Sequence, residues 1–426
     1  MPSSIQPRVI EAVVKVTEVC NINCTYCYVF NRGDESYKLH DKYMKPETVS
    51  QLADFLARAA HDVGATEIRV DFHGGEPLML KKARFDEYCE TFKARAPADV
   101  RVVFALQTNG MLVDEAWIAL FRKHKVTVGV SIDGPQPIND VERIDHFGRG
   151  TYERTRKGLD ALNDAYRDGL IPSFGLLTVA SAKTSGAEIY RHFVHEVKVD
   201  ALDFLLPIES HDEFDPSTSL AYGQFLVDAF DEWVKDDDPY IRIRIFSNTL
   251  AFFQQGKEIV KGARQSRDID YNLITVSSNG DLGPDDSLRT LDLGLFSSAT
   301  IRTDSLQSYR GRADLQGIRD AENTLPDGCG ECAWKNLCRG GAANGRLINR
   351  FSSARGFNNK SIICEGLQHF YSHVAAHVLR NGVSFNQLTQ SLIHEDEPFA
   401  EYNGAPCPFA NHATAIELGG TLETVE

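Results

Sequence analysis

Several features that would place a protein in a particular class are missing from this sequence. No apolar run comes near the roughly 20 residues needed to cross a bilayer, although 42% of the chain is hydrophobic. The first residues, MPSSIQPRVIEAVVKV, lack a basic region followed by an apolar one, so no secretory signal is visible. We therefore expect a globular, soluble protein that stays in the cytoplasm, with no membrane partner.

Positive charge is also scarce. Lys and Arg number 45 against 60 Asp and Glu, which leaves a net charge of −15. This balance argues against a nucleic-acid partner, because phosphate binding depends on Lys and Arg. It is compatible with a cationic peptide partner, and equally with acidity that only maintains solubility.

The first half of the chain alternates strand and helix patterns six times, from IEAVVKVTEV to LAYGQFLVDAFDEWV, without an internal repeat or a low-complexity stretch. Such alternation calls for a parallel sheet with right-handed crossovers, closed or partly closed like a barrel. The predicted fold class is therefore α/β, with a partial (β/α)6 TIM-like barrel over residues 8–235. Its chemistry should gather at the C-terminal ends of the strands.

The charged run KDDDP at residues 235–239 predicts a domain boundary. Beyond it, YNLITVSSNGDLGP has an Asn-Gly turn after a short strand, which indicates a hairpin. We predict a smaller, loop-rich and cysteine-bearing domain over residues 236–384. The tail over residues 385–426 has weak patterning.

Three of the nine cysteines, Cys20, Cys24 and Cys27, stand within EVCNINCTYCYVF directly after the first strand. Thiols in the cytoplasm are kept reduced, so clustered cysteines favour metal binding or catalysis over disulfides. A structural zinc would need a fourth ligand, and His40 lies too far along the chain for the usual spacing. Three thiolates on one short loop fit three corners of a [4Fe–4S] cube and leave one iron open.

This C-x3-C-x2-C motif, with Tyr26 before the third cysteine, resembles that of the radical S-adenosylmethionine (SAM) enzymes. The resemblance implies that SAM chelates the open iron and that one electron from the cluster yields a 5′-deoxyadenosyl radical. A zinc site or an adventitious cysteine-rich loop is the alternative.

Further motifs end the second, third and fourth strands. HGGEP resembles the GGEP motif that holds the SAM amino group in this family, while QTNG and SIDGP resemble segments that face the SAM ribose and carboxylate. An arginine in NDVERID is similar to one that pairs with the carboxylate. An ordinary turn for HGGEP and a surface salt bridge for the arginine are the alternatives. The SAM-binding residues implied in this way are Tyr26, Gly74, Gly75, Glu76, Pro77, Gln107, Thr108, Asn109, Ser131, Asp133 and Arg143.

A second cysteine group comprises Cys329, Cys332, Cys338 and Cys364. Four thiolates can close a zinc site or fully ligate a second iron–sulfur cluster, and the spacing alone does not choose between them. The arrangement is similar to the SPASM extension of radical SAM enzymes that modify peptides, which favours an auxiliary [4Fe–4S] cluster.

Full SPASM domains carry two auxiliary clusters, and this chain departs from that pattern. Asp285 and Ala342 stand where two further thiolates are expected, so the resemblance implies a single auxiliary cluster. Cys89 and Cys407 are predicted to be structural thiols, with Cys407 as a possible substitute ligand. The neighbouring Asp286 matches an aspartate that serves as a base in sulfatase-maturating relatives; its pKa is expected to be raised, and an exposed turn residue is the alternative.

The resemblance implies an enzyme that matures a ribosomally made precursor peptide, with a low-potential electron donor such as flavodoxin or ferredoxin. The missing cluster ligands look most like the cyclophane-forming group, which joins a side-chain carbon to an aromatic ring. Formylglycine formation, a thioether cross-link and a non-catalytic metal-cluster scaffold are the alternatives. No leader-binding domain is expected before the barrel, so leader binding would fall to the barrel mouth, the cysteine region or a separate protein.

Overall fold

A single mixed sheet organises the chain. The computed structural model describes residues 8–254, 272–291, 293–341 and 345–393. Nine strands lie in the spatial order β7-β6-β5-β4-β3-β2-β1-β8-β9. They are β1 (Val9–Thr17), β2 (Glu67–Gly74), β3 (Arg101–Thr108), β4 (Thr127–Ser131), β5 (Phe174–Val179), β6 (Ala201–Leu205), β7 (Arg242–Ile243), β8 (Asn272–Val276) and β9 (Leu282–Gly283).

Strands β1 to β6 follow one another in space as they do in sequence, and every neighbouring pair is parallel. The predicted six-unit α/β barrel is thereby confirmed. Strand β7 extends the sheet beyond β6, and β8 pairs in parallel with the free side of β1. The hairpin expected around the Asn-Gly turn is present as the antiparallel pair β8 and β9, with Gly280 at φ +92°.

Helices connect these strands and cover the sheet. The first eight are α1 (Pro46–Val63), α2 (Lys82–Arg95), α3 (Glu115–His124), α4 (Gln136–Glu142), α5 (Tyr152–Arg167), α6 (Gly186–Arg191), which continues as a π-helix over His192–Val197, α7 (Ser219–Asp236) and α8 (Arg244–Gln254). The later ones are α9 (Leu306–Arg310), α10 (Ala313–Asn323), α11 (Lys335–Cys338), α12 (Cys364–Arg380) and α13 (Phe385–Leu392). Short 3-10 turns occupy Ser36–Leu39, Pro77–Met79, Pro216–Thr218, Asp286–Leu291 and Ile348–Arg350.

Strand β1 shows how the pattern places the site. Ile10, Val14 and Val16 are fully buried on one face of the strand, as expected for a sheet covered by helices. Because side chains alternate along a strand, Lys15 lies on the opposite face, and it is 0% exposed as well. A fully buried lysine is unusual unless it is paired, so the interior of the barrel must hold its counter-charge.

The segment after residue 235 contains more helix than the sequence predicted. The sequence predicted loops where the structure has helices α8 and α12. Helix α13 begins where the sequence showed only weak patterning. Helix α12 packs closely on α7, because a Cβ added at Gly366 would lie 2.2 Å from the carbonyl oxygen of Ser219. This contact ties the first residue of α12, Cys364, to the barrel.

Among the described helices, none combines the length and the apolar character that a membrane span requires.

Candidate active site

The first cysteine group lies on a loop that leaves the C-terminal end of β1. Cys24 is 8% exposed, while Cys20 and Cys27 are half-buried, and none of the three forms a disulfide. The loop is held from outside by a neighbouring segment, since the amide of Asn23 donates to the carbonyl of Ile144 at 2.7 Å. The predicted position after the first strand is therefore confirmed.

The spacing of the sulfurs tests which metal the loop fits. A tetrahedral zinc with bonds of about 2.3 Å draws its sulfurs to within about 4 Å of one another. In the described parts of the chain, no three cysteine sulfurs lie within 4.8 Å of one another. The described cysteines therefore do not form a closed tetrahedral zinc site in this structure.

The two glycines of HGGEP lock the end of β2 against the cysteine loop. Cβ atoms added at Gly74 and Gly75 would lie 2.1 Å from the carbonyl oxygens of Thr17 and Val19, respectively. The amide of Gly75 donates to the carbonyl of Thr17 at 2.8 Å, and that of Glu76 to the carbonyl of Val19 at 2.9 Å. The glycines thus permit close packing against the backbone that leads into Cys20, a constraint on the cluster loop itself.

Glu76 joins the ends of the second and third strands. Its carboxylate is 1% exposed and accepts hydrogen bonds from Thr108 Oγ1 and the amide of Asn109, both at 2.7 Å, and from the amide of Leu78 at 3.0 Å. Burial raises its pKa to about 7. Pro77 follows it and begins a 3-10 turn, Pro77–Met79. Glu76 therefore organises the strand ends around the cysteine loop.

The remaining predicted polar residues of the third and fourth strands contact each other or the cysteine loop. Gln107 Nε2 donates to Ser131 Oγ at 2.7 Å, which links β3 to β4. Asn109 Nδ2 donates to Asn21 Oδ1 at 2.7 Å and lies 4.0 Å from Cys20 Sγ. The end of β3 therefore contacts the cysteine loop through Asn109 and is linked to the end of β4 through Gln107.

Tyr26, Asp133 and Arg143 form a buried chain of hydrogen bonds. The hydroxyl of Tyr26 donates to Asp133 Oδ2 at 2.5 Å and accepts from Arg143 Nη1 at 2.8 Å. Arg143 is 5% exposed, so the surface salt bridge considered for it is wrong. Its Nε atom is buried without a hydrogen-bond partner in the described residues, which leaves a donor available to a bound carboxylate.

Asp286 reaches the same end of the barrel from the 3-10 turn Asp286–Leu291. Its Oδ2 accepts from the hydroxyl of Tyr28 at 2.6 Å and lies 3.4 Å from Lys15 Nζ. The side chain is only 17% exposed, which rules out the exposed turn residue. Burial acts to raise the pKa of Asp286, but Lys15, His73 and Tyr28 together hold that pKa below its ordinary value, so the expected rise is wrong.

Sequence reasoning missed Lys15, Tyr28 and His73. Lys15 stands opposite His73 in the register of β1 and β2. Lys15 Nζ and His73 Nδ1 are both buried, and neither makes a hydrogen bond within the described residues. A lysine inside the apolar run AVVKV was the available signal, because a charge in a doubly covered strand needs a partner.

The four cysteines of the second group lie near one another in the structure. The pKa of Cys338 is raised to about 12, first by burial and then by the neighbouring thiolates of Cys364, Cys329 and Cys332. All four are without a disulfide. Cys364 Sγ accepts from Gln368 Nε2 at 3.3 Å, which orients it at the start of α12.

Two of the four remaining predicted positions lie within the described residues, and two do not. Cys89 is 0% exposed in α2, in keeping with a structural thiol. Asp285 is exposed in its turn and accepts from the amide of Ser287 at 2.9 Å. Ala342 and Cys407 lie outside the described residues.

Comparisons with known proteins point the same way. Residues 14–179 match the model of the Radical SAM superfamily, and this segment contains the cysteine loop and the polar residues at the ends of β2 to β4. This segment of the chain is therefore similar to the radical SAM enzymes. Its cofactors are accordingly a [4Fe–4S] cluster and SAM, and the donor set of the cysteine loop fits them.

The curated relatives match most of the length of this chain. It is 26% identical to a serine-type anaerobic sulfatase-maturating enzyme of Bacteroides thetaiotaomicron, with 86% of this chain and 89% of that protein covered. It is 25% identical to a cysteine-type anaerobic sulfatase-maturating enzyme of Clostridium perfringens, with 76% of this chain and 85% of that protein covered.

The solved structures match the fold over a similar range. Native anSMEcpe with bound AdoMet and the Cp18Cys peptide superposes with a TM-score of 0.69 at 21% identity, covering 88% of this chain and 99% of that one. These comparisons support the radical SAM part of the sequence interpretation and give no support to the cyclophane-forming group.

Proposed function

We propose that this radical SAM enzyme oxidises a side chain of a peptide or protein held at the mouth of its barrel, in the manner of formylglycine formation from Ser or Cys. The observation that carries the proposal is the position of Asp286. Its carboxylate bonds to Tyr28, the residue after the cluster ligand Cys27, so a proton acceptor lies beside the cluster site. Curated relatives include serine-type and cysteine-type sulfatase-maturating enzymes, and one solved relative has AdoMet and a peptide bound.

The protein's own groups supply what the oxidation needs besides the radical. When bound, SAM and the cluster supply a 5′-deoxyadenosyl radical that removes one hydrogen atom from the substrate carbon. The chain must then accept one proton and one electron. Asp286 is the proton acceptor, held ionised by Lys15 at 3.4 Å and by the hydroxyl of Tyr28.

The second cysteine group would hold the acceptor of the electron in this proposal. Cys329, Cys332, Cys338 and Cys364 would hold one auxiliary [4Fe–4S] cluster, and their mutual proximity supports a single shared site. Arg143, with its unpartnered Nε, would bind the SAM carboxylate, while the strand ends at Glu76, Gln107 and Asp133 shape the rest of the pocket.

A carbon–carbon cross-link is the second candidate, because Asp285 stands where the SPASM resemblance expects a thiolate of another auxiliary cluster. Oxidation of Ser and cyclophane formation both remove two hydrogens from the peptide, so mass alone does not separate them. An aldehyde reacts with an aminooxy probe, whereas a cross-link resists backbone fragmentation between the joined residues.

The experiment incubates anaerobically reconstituted enzyme with SAM, a reductant and Ser- or Cys-containing sulfatase-type peptides. We expect a product that reacts with the aminooxy probe, and Asp286→Asn should lose this product while still cleaving SAM. Asp285→Asn is the matched control, since amide oxygen can keep the turn bond to Ser287, and it should retain the product. A product that lacks the aldehyde and resists backbone fragmentation between two residues would instead establish the cross-link. If no 5′-deoxyadenosine forms from SAM, the protein would be a non-catalytic scaffold.

A further inference from the structure

A buried arginine lies beside the second cysteine group and bonds to backbone carbonyls. Arg350 is 2% exposed. Its Nε donates to the carbonyl of Phe357 at 3.0 Å, its Nη1 to that of Ala321 at 2.8 Å and its Nη2 to that of Thr324 at 3.1 Å. Within the described ranges, none of its hydrogen bonds goes to a carboxylate. Because a buried charge is costly unless it is paired, a source of negative charge is expected nearby.

The carbonyls compensate only part of this charge. Ala321 lies in the last turn of α10, and Thr324 directly follows that helix. The end of a helix carries about half a unit of negative charge, whereas a guanidinium carries a full positive unit. Part of the charge of Arg350 therefore needs another partner.

The second cysteine group supplies that negative charge. A Cβ added at Gly340, two residues after Cys338, would lie 3.6 Å from Arg350 Cδ. Burial and the neighbouring Arg346 lower the pKa of Arg350 to about 10, which leaves it charged at neutral pH. The thiol of Cys329 opposes this lowering of the pKa more strongly than the carboxylate of Glu322 does.

Two more cations lie around the same cysteines. A Cβ added at Gly328, the residue before the first cysteine of the group, would lie 3.3 Å from Lys360 Nζ. Arg346 Nε donates at 3.4 Å to the carbonyl of Gly341, in the turn that follows the third cysteine. Arg346, Arg350 and Lys360 are called the cationic collar below.

The collar belongs to a stretch whose charge is opposite to that of the whole chain. Residues 327–365 contain six Lys and Arg against three Asp and Glu, whereas the chain has a net charge of −15. A cube held by four thiolates carries negative charge, and it becomes more negative when it accepts an electron. Nearby cations stabilise the more negative state and so raise the reduction potential.

We propose that the cationic collar raises the reduction potential of the second cluster and so makes that cluster the electron acceptor of the reaction. The proposal rests on the proposed function, in which this cysteine group holds the auxiliary cluster. There the substrate radical is oxidised by one electron and gives its proton to Asp286, while the acceptor is reduced by one electron. The positive charge of the collar offsets the negative charge that the acceptor gains.

The test is a redox titration of the anaerobically reconstituted enzyme, followed by electron paramagnetic resonance. The signal that SAM does not change reports the second cluster. Arg350→Met should weaken the affinity of this cluster for the electron by about tenfold, which lowers its midpoint potential by about 59 mV. Lys360→Gln should shift the potential in the same direction by less, because water screens an exposed charge.

Two further variants separate charge from structure. Arg350→Lys keeps the positive charge and should keep most of the midpoint potential. Arg380→Gln removes the same charge from the far end of α12, the helix that begins with Cys364 and spans about 25 Å, and should leave the potential unchanged. Lys360→Gln decides the question if Arg350→Met does not fold.

The outcomes distinguish this inference from the proposed function. An unshifted midpoint potential in Arg350→Met and Lys360→Gln would overturn the role of the collar and leave the auxiliary cluster standing. Equal shifts in Arg350→Met and Arg350→Lys would also overturn it, because the effect would then be structural. Zinc at the second cysteine group of the unchanged enzyme, with half of the iron expected for two clusters, would refute both the collar and the auxiliary cluster.

Discussion

The buried pair of Lys15 and Asp286 gives the sharpest prediction. Their charged atoms lie 3.4 Å apart, and the two side chains are 0% and 17% exposed. At an effective dielectric constant of about 20, this distance corresponds to about 5 kcal/mol of attraction. Desolvation of both groups offsets much of that energy. The contribution of the pair to the free energy of unfolding is therefore measured by removing one partner.

Lys15→Met removes the cation and leaves the carboxylate in place. We expect the free energy of unfolding at neutral pH to fall by about 3 kcal/mol, the low end for an uncompensated buried charge. The pKa of Asp286 should rise, because Lys15 is the largest of the influences that lower it. As the pH is lowered, product formation should therefore decline at a higher pH in the variant than in the unchanged enzyme.

The sign of the pH dependence follows from the direction of the shift. Because the folded-state pKa of Asp286 is depressed, its ionisation stabilises the protein above the ordinary carboxyl pKa of about 3.9. That stabilisation is lost as the pH falls through the folded-state pKa. In Lys15→Met the difference between the folded-state and unfolded-state pKa of Asp286 becomes smaller, so this part of the acid sensitivity should be reduced.

A double-mutant cycle measures the pair directly. Lys15→Met, Asp286→Asn and the double variant are unfolded in urea under anaerobic conditions, and we expect a coupling energy of about 2 to 3 kcal/mol. Lys183→Met, a change at an exposed lysine, should stay within about 0.5 kcal/mol of the unchanged protein. A coupling energy below about 0.5 kcal/mol would refute the pairing on which the role of Asp286 depends.

Two further predictions concern the cluster sites. Gly75→Ala should prevent normal assembly of the first cluster, because the added Cβ would lie 2.1 Å from the carbonyl oxygen of Val19. The control is Gly317→Ala, whose added Cβ meets nothing within 4 Å and which should not alter the iron content. Iron analysis after anaerobic reconstitution checks both, and a full iron complement in Gly75→Ala would contradict the argument. Cys24→Ala should abolish SAM cleavage, while Cys338→Ala should lose the second cluster and the peptide product but keep some cleavage. Equal, intact turnover in these two variants would rule out the ligand assignment.

Local patterns were sufficient for much of the barrel. Alternation in the stretch that became Val9–Thr17, and the helical stripe that became Pro46–Val63, predicted their elements because burial on a sheet or a helix face imposes a fixed period. The cysteine loop was equally local, since three ligands within eight positions need no distant residue. Helices α12 and α13 were missed because the cysteines and short loops around them dominated that part of the sequence.

The amino-acid sequence by itself determined which residue types were present to build a cluster loop, and the order in which strands and helices would form. Only the tertiary structure decided that Tyr28 and Asp286, 258 residues apart, share a hydrogen bond, and that Lys15 is their buried counter-charge. Side chains at the ends of separate strands meet only after the crossovers have brought those strands side by side. Their burial, and therefore the direction of each pKa shift, exists only in the folded barrel.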